Sequence, residues 1–312
     1  MSNFLYKFSI LIIGTIVSTT IPLYSQCGCS SSQQFLPPLH WLGSSEISIS
    51  QKKRLHLDFM YKFATGNNLY KGTEIVPSQT DYKFHFIDFF STYGLTNYTS
   101  IDFYLDYNFR LLNQYGFDTK GYGFSNASLG LRHTFYESEN SDLVINGGSG
   151  IKIPLMKFKP IEEYPIISQP TNGSFGFYAF ALLQKSIPNF SLNLLLYSRF
   201  DYNFKNNIDY KFAPSISSSL FLSRRFSTKF VALAELRHSF MFQDKYKDTT
   251  YPNSGANLIF LVPRLTFILD EISISPYFEL PIYQNYKGEQ LGAKFAIGIN
   301  FNYVYNFSRR KF

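Results

Sequence analysis

The sequence predicts an all-β protein: a transmembrane, antiparallel, up-and-down β-barrel of about 12 strands behind an N-terminal signal peptide. Three observations predict it. Apolar residues recur with a period of two over long segments, the connections alternate between short and longer, and the one continuous apolar run is too short to cross a bilayer. Composition agrees with this. The 312 residues carry 29 Lys+Arg against 22 Asp+Glu, a formal charge of +7. Charged residues are only 16%, below the ~25% of an ordinary soluble protein. Aromatics reach 19%, with 34 Phe, 24 Tyr and one Trp, while mean hydropathy is −0.10. That aromatic content excludes a disordered chain. The absence of further long apolar runs excludes a helical membrane bundle. Two cysteines exclude a disulfide scaffold.

The first element is residues 1–25. Lys7 is the only charge before the run Phe8 to Val17, and small Ser25 closes the segment. One positive charge, a short apolar core and a small residue make a secretory signal peptide. Leu23 matches poorly the small residue expected three before the cut, so the cleavage site stays open. Residues 26–52 follow as an N-terminal periplasmic segment. Its cluster of Phe35, Leu36, Leu39, Trp41 and Leu42 suits a plug in the lumen; a plain linker is the alternative. Cys27 and Cys29 are the metal candidates, since two close thiolates hold soft ions. A local disulfide or an inert flexible end is the favoured reading. Lipid attachment is disfavoured by Tyr24 and Gln26, and His40 stands too alone to be a third ligand.

The barrel is expected over residues 53–312. Leu55, Leu57, Phe59, Tyr61 and Phe63 alternate with His56, Asp58 and Lys62. Ile101, Phe103, Leu105, Tyr107 and Phe109 alternate with Asp102, Tyr104, Asp106, Asn108 and Arg110. Such alternation marks strands with one apolar and one polar face. The spans expected are 53–64, 82–94, 98–111, 122–136, 142–154 and 174–185, then 190–203, 211–223, 229–242, 256–268, 271–283 and 290–307. Short turns fall at 95–97, 137–141, 186–189, 224–228 and 269–270. Mostly longer loops fall at 65–81, 112–121, 155–173, 204–210, 243–255 and 284–289. A soluble sandwich would have strands averaging ~5–6 residues, so the length favours a bilayer barrel. Tyr93, Tyr107, Tyr202, Phe240, Phe242, Tyr303, Tyr305 and Phe307 lie near strand ends and suit aromatic girdles. The chain ends at Phe312, separated from Phe307 by Ser308-Arg309-Arg310-Lys311.

If the apolar faces meet lipid, the opposite faces line a lumen. Its candidate residues are Asp102, Asp106, Arg110, Arg132, Lys152, Arg199, Asp201, Glu235, Arg237, Arg264, Glu279 and Lys294. Arg199/Asp201 and Glu235/Arg237 are expected as cross-lumen ion pairs. Bracing of a narrow interior is favoured over a solute-selecting constriction, because an isolated buried charge is costly. Ser215, Ser217 and Ser219 form an inward hydroxyl stripe, leaving room either for a passage or for neighbouring side chains. No enzyme is expected. His133 and His238 fall on outward faces, as do Ser198 and Ser218, but no acidic or amide residue is placed to orient either histidine. No phosphate loop, HExxH or clustered basic patch is present, which leaves nucleotide, metalloprotease and nucleic-acid readings without support and calls for no cofactor.

Particular segments carry a resemblance. The stretch STYGLTNYTSIDFYLDYNFR, with GFSNASLGLRHTF, GSGIKIPL, LFLVPRLTF and LPIYQNYKGEQLGAKFAIGINF, resembles the outer-membrane family named for the meta pathway of phenol degradation. The likeness spans most of 82–307 as scattered motifs, LPIYQNYKGEQL being the most specific. Ser125-Asn126 departs from the usual Gly-Asp pair, and Leu155-Met156 from Thr-Gly. That family is similar to the long-chain fatty-acid transporters, so the resemblance implies a barrel passing hydrophobic or aromatic compounds.

The resulting expectation is an exported protein of the outer membrane of a Gram-negative-type bacterium. Its partners would be membrane lipid, the barrel-assembly machinery and a small solute passing through the lumen, with no nucleic acid. The alternative is a non-transporting surface barrel acting in adhesion or structure through its loops, especially 155–173; metal delivery through Cys27 and Cys29 is a third reading.

Overall fold

The computed structural model describes residues 52–307. Twelve long strands build the wall: β1 Arg54–Gly66, β2 Thr80–Gly94, β3 Thr99–Gln114, β4 Phe117–Glu137, β5 Leu143–Pro154 and β6 Gly176–Ile187 come first. β7 Leu192–Asn203, β8 Ser215–Ser227, β9 Phe230–Met241, β10 Ala256–Leu269, β11 Ile272–Leu291 and β12 Phe295–Asn306 complete it. Each pairs antiparallel with its chain neighbour, and β1 pairs with β12 from Arg54↔Asn306 to Thr65↔Phe295. The sheet is closed, so every strand edge in the ring has a hydrogen-bonded partner. No helix among the described residues is long and apolar enough to cross a membrane. This chain crosses by strands.

Alternation sets the two faces. Phe59, Leu129, Leu131, Ile151, Leu196, Leu222, Leu236, Leu265 and Ile297 stand exposed on the outside of the wall. Such a continuous apolar belt matches lipid rather than water. Aromatic rings border it. At the turn end Tyr93 lies 6.0 Å from Phe307, Tyr305 lies 4.7 Å from Phe307, and Phe230 lies 5.5 Å from Phe267. At the loop end Phe177 stacks on Tyr202 at 5.1 Å and Phe240 meets Phe242 at 4.9 Å.

Two expected loops are strand instead. Residues 112–121 form the tip of a β3–β4 hairpin paired up to Gln114↔Phe117, leaving only Tyr115 and Gly116 to turn. Both have positive φ, 51° and 83°, the geometry that matches the twist of a two-residue hairpin and that glycine relieves. Residues 284–289 belong to β11, whose outer end pairs with a short hairpin, Leu69–Gly72 and Glu74–Val76. The true β11–β12 connection is 292–294.

Among the described residues three apolar clusters form, two inside the wall and one over its mouth. One lies toward the loop end and includes Tyr82, Phe84, Phe86, Leu112, Leu258, Phe260 and Tyr286. A second, on the β6–β9 side toward the turn end, joins Leu182, Leu195, Tyr197, Phe221 and Leu233. The third, Phe158, Ile161, Ile166, Tyr210, Phe212 and Tyr251, is built by the long loops over the mouth.

Candidate functional site: a charged lumen under an inward loop

Between the first two clusters runs a layer of buried charge. On β7, Arg199 grips Asp201 with Nε–Oδ2 2.6 Å and Nη2–Oδ1 2.8 Å, and Lys152 of β5 reaches the same carboxylate at 3.0 Å. The Arg199 guanidinium also lies 4.0 Å from the Tyr178 ring centre. Arg132 of β4 bonds Asp102 of β3 at 2.6 Å, and Thr92 donates to that carboxylate at 3.0 Å. On β9, Arg237 holds Glu235 through Nε at 2.8 Å and Nη2 at 3.0 Å, then reaches Glu279 of β11 at 3.3 Å. Lys62 of β1 completes that group, 4.0 Å from Glu279.

Arg199/Asp201 and Glu235/Arg237 are therefore not cross-lumen pairs, as alternation alone suggests. Residues two apart share a face, so each pair lies along one strand. Arg132–Asp102 joins adjacent strands, whereas Lys152–Asp201, Arg237–Glu279 and Lys62–Glu279 each pass over an intervening strand. Inward curvature of the wall brings such second neighbours within reach.

Asp106 has a different task. β4 bulges where Ser125 and Asn126 together oppose it, and the Asn126 N–H donates to its Oδ1 at 3.1 Å. Asn108 donates to its other oxygen at 3.1 Å. A carboxylate thus receives the N–H that the bulge withdraws from the ladder.

Above the charges, loop 155–175 turns into the mouth. Residues Ile166 to Asn172 are buried, with Ile167 and Ser168 fully so. The barrel wall and the neighbouring loop 204–214 hold this segment through its backbone. Arg110 Nη1 donates to Ile167 O at 3.2 Å, Asn108 Nδ2 to Pro170 O at 2.8 Å, and Asn206 Nδ2 to Asn172 O at 3.1 Å. Thr171 in turn donates to Ser125 O at 3.0 Å. The expected surface loop is an inward cap. Of the expected plug segment 26–52, residues 26–51 lie outside the described residues, as do the signal peptide, Cys27, Cys29 and Phe312.

The loops of the cap meet at Asp244, between β9 and β10. Tyr210 donates to its Oδ2 at 2.7 Å and the Ala213 N–H to its Oδ1 at 2.8 Å. Burial pushes this carboxyl up to about 6, and burial beside Asp244 pushes Tyr251 up to about 12.

Of the twelve candidates named from alternation, eleven are buried in the interior and one is not. Lys294 is exposed, because the ladder breaks at 292–294 and its side chain leaves with the turn. The serine stripe is spent on neighbours: Ser219 donates to Glu235 at 2.7 Å and Ser217 lies 3.5 Å from Ser239. Asp58 and Lys62, on the polar face of β1, join the interior, and the structure adds Asp88 of β2, which the sequence reading did not single out. Tyr104 donates to Asp88 at 2.8 Å, and Asn300 to Asp58 at 3.2 Å.

One outward feature corrects the sequence reading. His238 does have an orienting amide, Asn257 of β10, 2.7 Å from its Nε2. Ser218 stands directly across the β8–β9 ladder from His238, yet its hydroxyl lies 3.0 Å from Ser198. Strand pairing, invisible in chain spacing, assembles this row.

No protein-family model matches the chain, and no curated protein matches its sequence. Solved structures do match in fold. The COG4313 outer membrane channel from Pseudomonas putida F1 superposes with a TM-score of 0.70 at 11% identity, over 87% of this chain and 100% of that one. A FadL homologue from Pseudomonas aeruginosa gives 0.44 at 8% identity, over 92% and 99% of the two chains. The CymD monoaromatic hydrocarbon channel gives 0.43 at 9%, over 87% and 94%. The first of these shares the whole barrel architecture.

Proposed function

We propose that the protein is an outer-membrane channel for passive passage of a small, hydrophobic or aromatic solute. The observation that carries this reading is the loop segment 166–172 seated inside the barrel mouth, held by Arg110 and Asn108 of the wall and by Asn206 of the neighbouring loop. A barrel serving only as a surface scaffold has no use for a loop folded into its own mouth. Each of those bonds contributes about 0.5–1.5 kcal/mol net, and burial of Ile166 and Ile167 adds about 1.5–3 kcal/mol each, so the segment is docked in the mouth. The layered interior, apolar then charged then apolar, offers a solute both kinds of contact. Likeness in fold to a protein described as an outer membrane channel supports the same reading.

Lipid hydrolysis is not part of it. Ser218 is bonded to Ser198 rather than to His238, so the outward row has no nucleophile–base hydrogen bond. Adhesion through 155–173 is disfavoured because the central part of that loop is buried.

Single-channel recording on the folded full-length protein tests the proposal. Wild type is expected to show small openings, and replacement of 161–172 by a short Gly-Ser linker should raise conductance several-fold. Absence of current from both proteins, each confirmed as folded, would return the adhesion reading to first place.

A further inference from the structure

The charged layer contains two arginines one strand apart with opposite fates. Arg237 is saturated by Glu235 and Glu279. Arg264, on β10, is 2% exposed, and all three of its guanidinium nitrogens lack a hydrogen-bond partner among the described residues. Its contact is the face of Tyr277, directly across on β11, with the guanidinium carbon 4.8 Å from the ring centre. Tyr277 is fixed there because it lies over Gly298 of β12, where an added Cβ would stand 2.3 Å from the ring.

Nearby carboxylates are already committed. Glu235 accepts from Arg237 and Ser219, and Glu279 from Arg237 beside Lys62. Asp88, in the same buried layer, accepts from Tyr104, and none of these three carboxylates accepts a hydrogen bond from Arg264. A guanidinium does not shed its charge, and an unpaired buried ion costs several kcal/mol. One ring contact does not offset that. What the fork of Arg264 lacks is a planar acceptor, and a carboxylate presenting two oxygens matches it.

We propose that Arg264 is an anion-binding residue of the lumen, taking the carboxylate of a small solute with an apolar body. The body is argued from the surroundings. Leu233, directly across from Arg264 on β9, belongs to the apolar cluster with Phe221, Leu195 and Leu182, and Val262 and Tyr277 are buried beside it. A carboxylate on Arg264 places a short apolar body against Leu233. This names a solute class for the proposed channel and rests on that reading for transport, although binding itself is independent of conduction.

The test uses benzoate on the folded full-length protein, with benzyl alcohol as its neutral counterpart and acetate as the carboxylate without a ring. A ligand that binds only the folded state raises its unfolding midpoint by mass action. Benzoate is expected to raise the wild-type midpoint, acetate to do so less, and benzyl alcohol least. Arg264→Met should weaken the benzoate effect about tenfold or more. Leu233→Glu supplies a tethered carboxylate opposite the guanidinium and should also abolish the response, which keeps the test decisive if Arg264→Met fails to fold. An unchanged benzoate effect in either folded variant, or none in wild type, overturns the anion site. Benzoate block of single-channel current separates the two proposals. Stabilisation without any conductance sinks the channel reading alone, whereas conductance indifferent to benzoate in a protein that it does not stabilise sinks the anion site alone.

Discussion

The β5–β7 side of the lumen and its β9–β11 side solve the same problem differently. Both bury arginine beside an aromatic ring. On the first, Lys152 and Arg199 converge on Asp201, with Tyr178 under the guanidinium. On the second, Arg237 takes both carboxylates and Arg264 is left with Tyr277. The difference teaches that buried charge in this barrel is not all bracing. Both sides are cross-linked through a shared carboxylate, Asp201 on one and Glu279 on the other, but only the second keeps an unused donor set.

The largest expected effect breaks the Asp201 side. Asp201→Asn leaves two buried cations without their common carboxylate, and breaking a buried pair costs about 3–5 kcal/mol. Urea unfolding of the purified barrel should show a midpoint lowered accordingly. Arg264→Met, without added carboxylate, should move the other way. It removes an uncompensated charge at the loss of one cation–π contact, about 0.5–2 kcal/mol, so stability should hold or rise by about 1–2 kcal/mol. If Asp201→Asn is neutral, or Arg264→Met destabilises as much, the two sides are energetically alike and the comparison fails.

This contrast also marks what was legible in the sequence. Period-two alternation is a local property, so SIDFYLDYNFR announces β3 and its inward Asp102, Asp106 and Arg110 without any knowledge of neighbours. Pairing is not local. Lys152 meets Asp201 across 49 positions and Arg237 meets Glu279 across 42, because the barrel curves enough to join second-neighbour strands. Chain order gives no hint that Arg264, between them, is left over. Loop composition misled at both long hairpins. Residues 112–121 and the run through Lys287-Gly288 read as loops, yet β3, β4 and β11 simply continue above the apolar belt, leaving Tyr115-Gly116 alone to turn the first hairpin. The inward course of 166–172 was also hidden, since its anchors are backbone carbonyls, which every residue carries.

A smaller effect sharpens the comparison between the lumen and the cap above it. The cap concentrates on Asp244, a carboxyl whose folded value of about 6 lies above the ordinary 3.8 because of burial. The folded cap therefore holds the proton more tightly than an open one. Its stabilising contribution is fully present below about pH 4 and is lost as pH rises through about 6. Amide exchange across 204–214 and 242–255, corrected for intrinsic rates, should be slower at pH 5 than at pH 8. Asp244→Asn keeps an acceptor for Tyr210 without the ionisation and should flatten that dependence. Strands of the wall should not follow it, because they pair along their full length and take no support from this carboxyl. Equal pH dependence in cap and wall would mean that the cap is not a separate cooperative unit, and that the segment at 166–172 opens only when the barrel does.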